Sequence, residues 1–140
     1  MLMATSILIS IQICKYEKYK IIYCDKMIYL ASQVSIFMKS VMPDTDMIFS
    51  YLKNSEKLKD IDIFDINSTS PLNKVENEKI TEYINSIGKY DAQTQIDKST
   101  EFCDSFRLIK KDYQLFYSTH YKLIYAAGFS FGALISILLI

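Results

Sequence analysis

Eighteen consecutive residues, Leu123 to Ile140 (LIYAAGFSFGALISILLI), contain no charged side chain. As an α-helix this segment is about 27 Å long at ~1.5 Å per residue, close to the ~30 Å hydrocarbon thickness of a bilayer. His120, Tyr121, Lys122 and Tyr125 stand at its entrance, a polar and aromatic collar suited to the headgroup layer. A buried core helix is the competing explanation, but a chain of 140 residues has too little other mass to cover every face of such a helix. The segment 123–140 is therefore expected to be a C-terminal transmembrane helix. Within it Gly128 and Gly132 form a GxxxG, with Ala127, Ser130 and Ala133 nearby. Small residues four apart let two helix backbones approach closely in lipid, where packing drives association. Glycine is also common in membrane helices for no specific reason. If the pair packs, its partner is either the chain's own N-terminal segment or another subunit.

The other end, Met1 to Cys14 (MLMATSILISIQIC), is also uncharged. Fourteen residues give about 21 Å, short of a comfortable span. A basic n-region and an Ala-x-Ala cleavage site are both missing, which fits a removable signal peptide poorly. Tilt, local thinning and snorkelling of Lys15 and Lys18 allow residues 1–14 to span, and the alternative is an interfacial segment. Every charged side chain falls between Lys15 and Lys122. Lys15, Lys18, Lys20, Lys26, Arg107, Lys110, Lys111 and Lys122 lie near the two apolar ends, and their count predicts a cytoplasmic middle region.

Composition narrows the chemistry. Sixteen basic residues balance sixteen acidic ones, and Arg107 is the only arginine. Nucleic-acid surfaces carry net positive charge and lean on Arg for its planar fork, so no nucleic-acid partner is expected. The three glycines, Gly88, Gly128 and Gly132, leave no P-loop and no GxGxxG turn. Two prolines and so few glycines also argue against a sandwich or barrel with many turns. Cys14, Cys24 and Cys103 have neither disulfide nor zinc-site spacing, and His120 is the single histidine. Cys24 and Cys103 are expected to be small buried hydrophobes and His120 an interface side chain. Neither a metal, a cofactor nor a small-molecule substrate is expected.

Residues 15–122 are expected to form a helical bundle domain, making the protein all-α. Tyr16, Tyr23, Leu30 and Phe37 recur every seven residues beside a second row of Met27, Val34 and Val41, the stripe of a packed helix. Pro43 ends it, and Asp44 or Thr45 can cap a second helix carrying Ile48, Phe49, Tyr51 and Leu52 to about Lys57. From Asp60 to Val75 the pattern reads as a brief strand or a short helix, with a loop at Asn67–Pro71. A further helix over about Glu76 to Ile87 is followed by Gly88 in the position of a left-handed cap. Asp91 then opens the longest element. Ala92, Ser99, Phe106, Tyr113 and His120 form one row; Phe102, Ile109 and Phe116 form the next, widened by Ile96 and Cys103. With no Pro or Gly from Asp91 to Ala127, this helix is expected to run into the apolar segment, antiparallel to the first. Aromatic stripes of this kind are read as core fillers.

Two places carry a family resemblance. Ile87-Gly88-Lys89-Tyr90-Asp91, with Gln95 four residues on, is similar to the Leu-Gly-x-x-Asp turn and downstream Gln of stage III sporulation protein AB. Ala127-Gly128-Phe129-Ser130-Phe131-Gly132 and the aliphatic residues after it are similar to that family's closing segment. The order of elements is similar over nearly the whole chain, and the motifs over about Ile80 to Ile140. The chain departs at its first soluble helix, which reads Tyr29-Leu30-Ala31-Ser32-Gln33-Val34 where the family is more acidic, and at its shorter first span. The resemblance implies a turn built on Gly88, Asp91 and Gln95, and a soluble domain related to that of the type II secretion platform protein. It implies a structural component of the channel between mother cell and forespore, in the mother-cell membrane, with the other channel proteins and a cytoplasmic ATPase as partners. Two other classes compete: a generic two-span interaction protein of another secretion or envelope machine, and a small membrane enzyme using His120, Asp104 or Asp112.

Overall fold

The computed structural model describes residues 2–40 and 45–139. It is helical throughout, with no strand among the described residues. Helix α1 runs Leu2–Ser40, α2 Thr45–Lys53, α3 Ile66–Thr69, α4 Lys74–Ser86 and α5 Ala92–Leu138, with a single 3₁₀ turn at Glu56–Leu58. The two long helices, of 39 and 47 residues, are where the sequence lacks breakers. No Gly or Pro precedes Pro43, and none separates Asp91 from Gly128. Glycines 128 and 132 sit inside α5 without ending it, at a propensity cost of about 1 kcal/mol each relative to Ala.

The chain divides into two compact units: a terminal one of Met1–Ile21 and Lys110–Ile140, and a central one of Ile22–Ile109. The expected boundaries at 14/15 and 122/123 both fall within the terminal unit.

In the central unit α1 buries Tyr23, Cys24, Met27, Leu30, Ala31, Val34 and Met38, positions repeating at three or four residues, as one helical face requires. Also buried in that unit are Ile48 and Leu52 of α2, Leu58 of the 3₁₀ turn, Ile80 and Ile84 of α4, and Phe102, Cys103 and Phe106 of α5. The Cys103 thiol reaches the Ile28 carbonyl at 3.5 Å and the Ser32 hydroxyl at 3.7 Å, which joins α1 to α5. Gln33 accepts from Tyr51 at 3.0 Å, while the Phe37 and Tyr51 rings stack at 5.0 Å, and these contacts seat α2 on α1.

The region from Asp60 to Val75 is the short-helix alternative, not a strand. Ile61, Ile63, Ile66 and Leu72 are buried, so the alternation is of packed and solvated residues in an irregular segment. What organises it is a set of polar contacts. Asn73 caps α4 by accepting from the Glu76 N–H at 2.9 Å, while Glu76 accepts from the Asn73 N–H at 3.3 Å, a reciprocal capping box. Asn77, buried one turn on, donates to the Leu72 carbonyl at 3.2 Å and accepts from Ser70. The cap starts α4 two residues before Glu76. At the second helix the difference is larger: α2 stops at Lys53 and a 3₁₀ turn covers Glu56–Leu58, which lets Leu58 turn inward. The expected cap residue Asp44 and the stripe residue Val41 lie outside the described residues.

Phe106 is fully buried and meets Phe102 in a tilted ring contact at 4.5 Å. Phe106→Ala is expected to cost about 3–5 kcal/mol through lost burial and a cavity, read from helical circular dichroism during unfolding of the detergent-solubilised chain. A wild-type unfolding curve would remove Phe106 from the core.

Candidate functional site

In the terminal unit the N-terminal part of α1 lies against the C-terminal part of α5. The Ser6 hydroxyl donates to the Gly128 carbonyl, and Ser10 donates to the carbonyls of Ser6 at 3.1 Å and Ile124 at 3.3 Å. Farther along, the Lys20 ammonium sits over the Tyr113 ring at 5.5 Å. Partners on α5 descend from 128 to 113 as α1 ascends from 6 to 20, so the two segments run antiparallel.

The need for glycine at 128 is steric. A Cβ there would stand 1.9 Å from Ser10 Oγ and 3.2 Å from both Ser10 Cβ and the Ser6 carbonyl oxygen. The hydroxyl can rotate away, but the Cβ and the backbone oxygen can move only if the helices separate. Gly132 lies one turn on, is buried, and its carbonyl accepts from Ser136 at 2.8 Å. The two serines were not singled out from sequence, although Ser6-x-x-x-Ser10 is itself a small-residue pair at the spacing of Gly128 and Gly132. Around this contact the apolar surface is open. Leu8, Ile9, Leu123, Phe129, Phe131, Leu134 and Ile137 are all exposed, and only 6% of the most apolar stretch of α5 is buried by the chain. By length and composition α1 and α5 are both able to cross a membrane.

The second cluster is the turn between α4 and α5. Gly88 has φ +85°, a left-handed conformation that costs a side-chain-bearing residue energy. Its N–H donates to Gln95 Oε1 at 3.2 Å, while the Gln95 N–H bonds the Asp91 carbonyl at 2.9 Å in the first turn of α5. The three residues of the expected turn thus meet in one place. Gln95 is fully buried, and its Nε2 has no hydrogen-bond partner among the described residues. Asp91 is exposed and shapes the turn through its carbonyl.

Beside the turn, α4 and α5 enclose an open groove of about 380 Å³. Its floor is an aromatic ladder in which Tyr83 stacks on Phe102 at 4.3 Å and Phe102 meets Phe106 at a tilt, 4.5 Å away. Lys79, Glu82, Lys98 and Glu101 form its rim. The Tyr83 hydroxyl bonds Ser99 at 2.5 Å, and burial pushes its phenol well above the ordinary range. Burial likewise raises the Cys103 thiol, partly opposed by the Ser32 hydroxyl. Both groups are held in their neutral forms at physiological pH, the opposite of an activated nucleophile.

The side chains weighed for catalysis are engaged locally. His120 Nδ1 lies 2.9 Å from the Phe116 carbonyl on its own helix, and its ring stacks on Phe116 at 4.2 Å. Arg107 donates to Asp104 at 2.8 Å, and Asp112 is exposed. Among the described residues no three His, Cys, Asp or Glu side chains converge as metal ligands would. No family model, curated protein or solved structure matches the chain.

Two substitutions test these contacts. Gly128→Ala is expected to destabilise the detergent-solubilised protein by about 1–2 kcal/mol, the scale of membrane helix contacts. In a Ser10→Gly background, which removes both Oγ and Cβ, the same change should cost measurably less; equal costs would exclude the contact. Gly88→Ala is expected to cost about 1 kcal/mol through the left-handed backbone, and an unchanged midpoint of denaturation would show that the turn does not require it.

Proposed function

We propose that this chain is a membrane-anchored helical scaffold whose role is to hold other proteins at a bilayer. The observation that carries this reading is the exposed apolar end of α5, paired with a short apolar α1 segment by contacts between small residues. Open leucine, isoleucine and phenylalanine side chains on all sides of a helix are costly in water and unremarkable in lipid. In this proposal the central unit is cytoplasmic, a reading supported by the lysines beside the two apolar stretches. That unit has an aromatic-floored groove and a packed core, and its buried Cys103 and Tyr83 are held neutral, so binding suits it better than chemistry.

The narrower assignment is to the mother-cell membrane platform of the sporulation channel, beside a secretion-type ATPase. Its support is the resemblance at Gly88, Asp91 and Gln95 and at the Gly128–Gly132 tail. In that reading nucleotide hydrolysis belongs to the partner, and this chain couples it to the membrane assembly.

The anchoring is tested by alkaline carbonate extraction. The full-length protein is expected to stay with membranes and to be released by detergent, and release by carbonate alone would overturn the proposal. Affinity capture from detergent extracts of sporulating cells then tests the narrower reading, with a Walker-motif ATPase expected among the captured proteins. Capture of a different membrane machine, without a sporulation defect on deletion, would replace that reading with the generic two-span interaction protein.

A further inference from the structure

The chain is neutral overall, yet its charge is unevenly divided. The terminal unit holds six lysines, at 15, 18, 20, 110, 111 and 122, against Glu17 and Asp112, which leaves it at +4 and the central unit at −4. Lys20 is engaged on two sides. Lys20 pairs with Glu17 at 3.2 Å and lies over the rings of Tyr16 at 5.0 Å and Tyr113 at 5.5 Å. Lys15, Lys18 and Lys122 are exposed, and none has a carboxylate within 4.0 Å among the described residues.

Distance from the apolar stretches separates these lysines from Lys110 and Lys111. Lys122 adjoins Leu123, while Lys15 and Lys18 follow Cys14 by one and four residues, about 1.5 and 6 Å along the helix. All three fall inside the ~8–10 Å over which charge is felt at physiological salt. Lys111 lies twelve residues from Leu123, about 18 Å away and beyond that range. Between them the Tyr117 and Tyr121 rings stack at 5.6 Å, an aromatic pair of the kind that settles at headgroup depth.

We infer that Lys15, Lys18 and Lys122 form a binding surface for the headgroups of anionic phospholipids. The inference rests on the membrane reading above and adds to it a preference among lipids. The occupant follows from charge and continuity: three ammonium groups without a carboxylate partner, bordering an apolar surface, match a phosphodiester bearing net charge whose acyl chains continue along that surface. Zwitterionic headgroups offer no net attraction to this cluster, and each lysine this close to an anionic surface contributes roughly fivefold.

The chain has no Trp and 11 Tyr, six of them in the terminal unit, so tyrosine emission reports on the collar. Full-length protein is reconstituted in phosphatidylcholine vesicles containing, at equal mole fraction, phosphatidylglycerol or phosphatidylcholine spin-labelled high on the acyl chain. The labelled phosphatidylglycerol is expected to quench with about fivefold higher relative affinity or more, and molar salt should abolish the difference. The variant Lys15→Gln/Lys18→Gln/Lys122→Gln should lose the preference. Lys39→Gln/Lys59→Gln/Lys89→Gln, which removes the same charge from exposed sites on the central unit, should keep it. Equal quenching of the wild-type protein by the two lipids overturns the headgroup surface while leaving the anchoring intact. Absence of quenching by either lipid overturns both.

Discussion

The missing side chain at position 128 sets how the apolar ends of this protein meet. Two helices approach to backbone contact only where neither presents bulk, and here Ser6 and Ser10 face a glycine whose carbonyl accepts the Ser6 hydroxyl. Ser10 directs its own hydroxyl to carbonyls on both helices. In an apolar medium, where no water competes, such short polar side chains join helices without introducing charge. A larger residue at 128 would separate the two helices of this pair and take the Gly128 carbonyl away from the Ser6 hydroxyl.

The central unit is held by different physics. Its core is built from buried apolar side chains of α1, α2, α4 and α5, and the polar groups inside it are few and mostly answered by neighbours. Ser99 meets Tyr83, Asn77 meets Ser70 and Leu72, and the Gln95 carbonyl oxygen receives the Gly88 N–H. The turn at Gly88 is thereby tied to α5 by a buried side chain as well as by its own backbone. A left-handed residue, a buried amide and the first turn of a 47-residue helix make one unit. This is how a connection of five residues can aim a long helix.

The same packing acts on two titratable groups. A thiolate or phenolate needs its charged form stabilised, and burial penalises that form at Cys103 and Tyr83. Cys103 and Tyr83 are pushed toward neutrality by burial, and His120 is turned to its own helix backbone. What stays available is surface: an aromatic-floored groove between α4 and α5, a basic collar and an apolar end. The proposed scaffold uses all three.

Helical content and the long α5 were legible in the sequence, because a stretch without Gly or Pro leaves the backbone no cheaper way to satisfy its hydrogen bonds. The buried faces of α1, α4 and α5 were legible from spacing alone, and so was Gly88, since only a residue lacking Cβ adopts its φ cheaply. Tyr16 and Phe116 mark the limit: they continue the seven-residue rows yet are exposed, because periodicity gives a face but not what covers it. The segment around Asp60–Val75 was ambiguous because its order comes from the Asn73, Glu76 and Asn77 contacts, not from a repeating pattern. Only tertiary structure decided that Gly128 meets Ser6 and Ser10. A small residue permits close approach, but which backbone approaches is settled by where the rest of the chain puts the other helix.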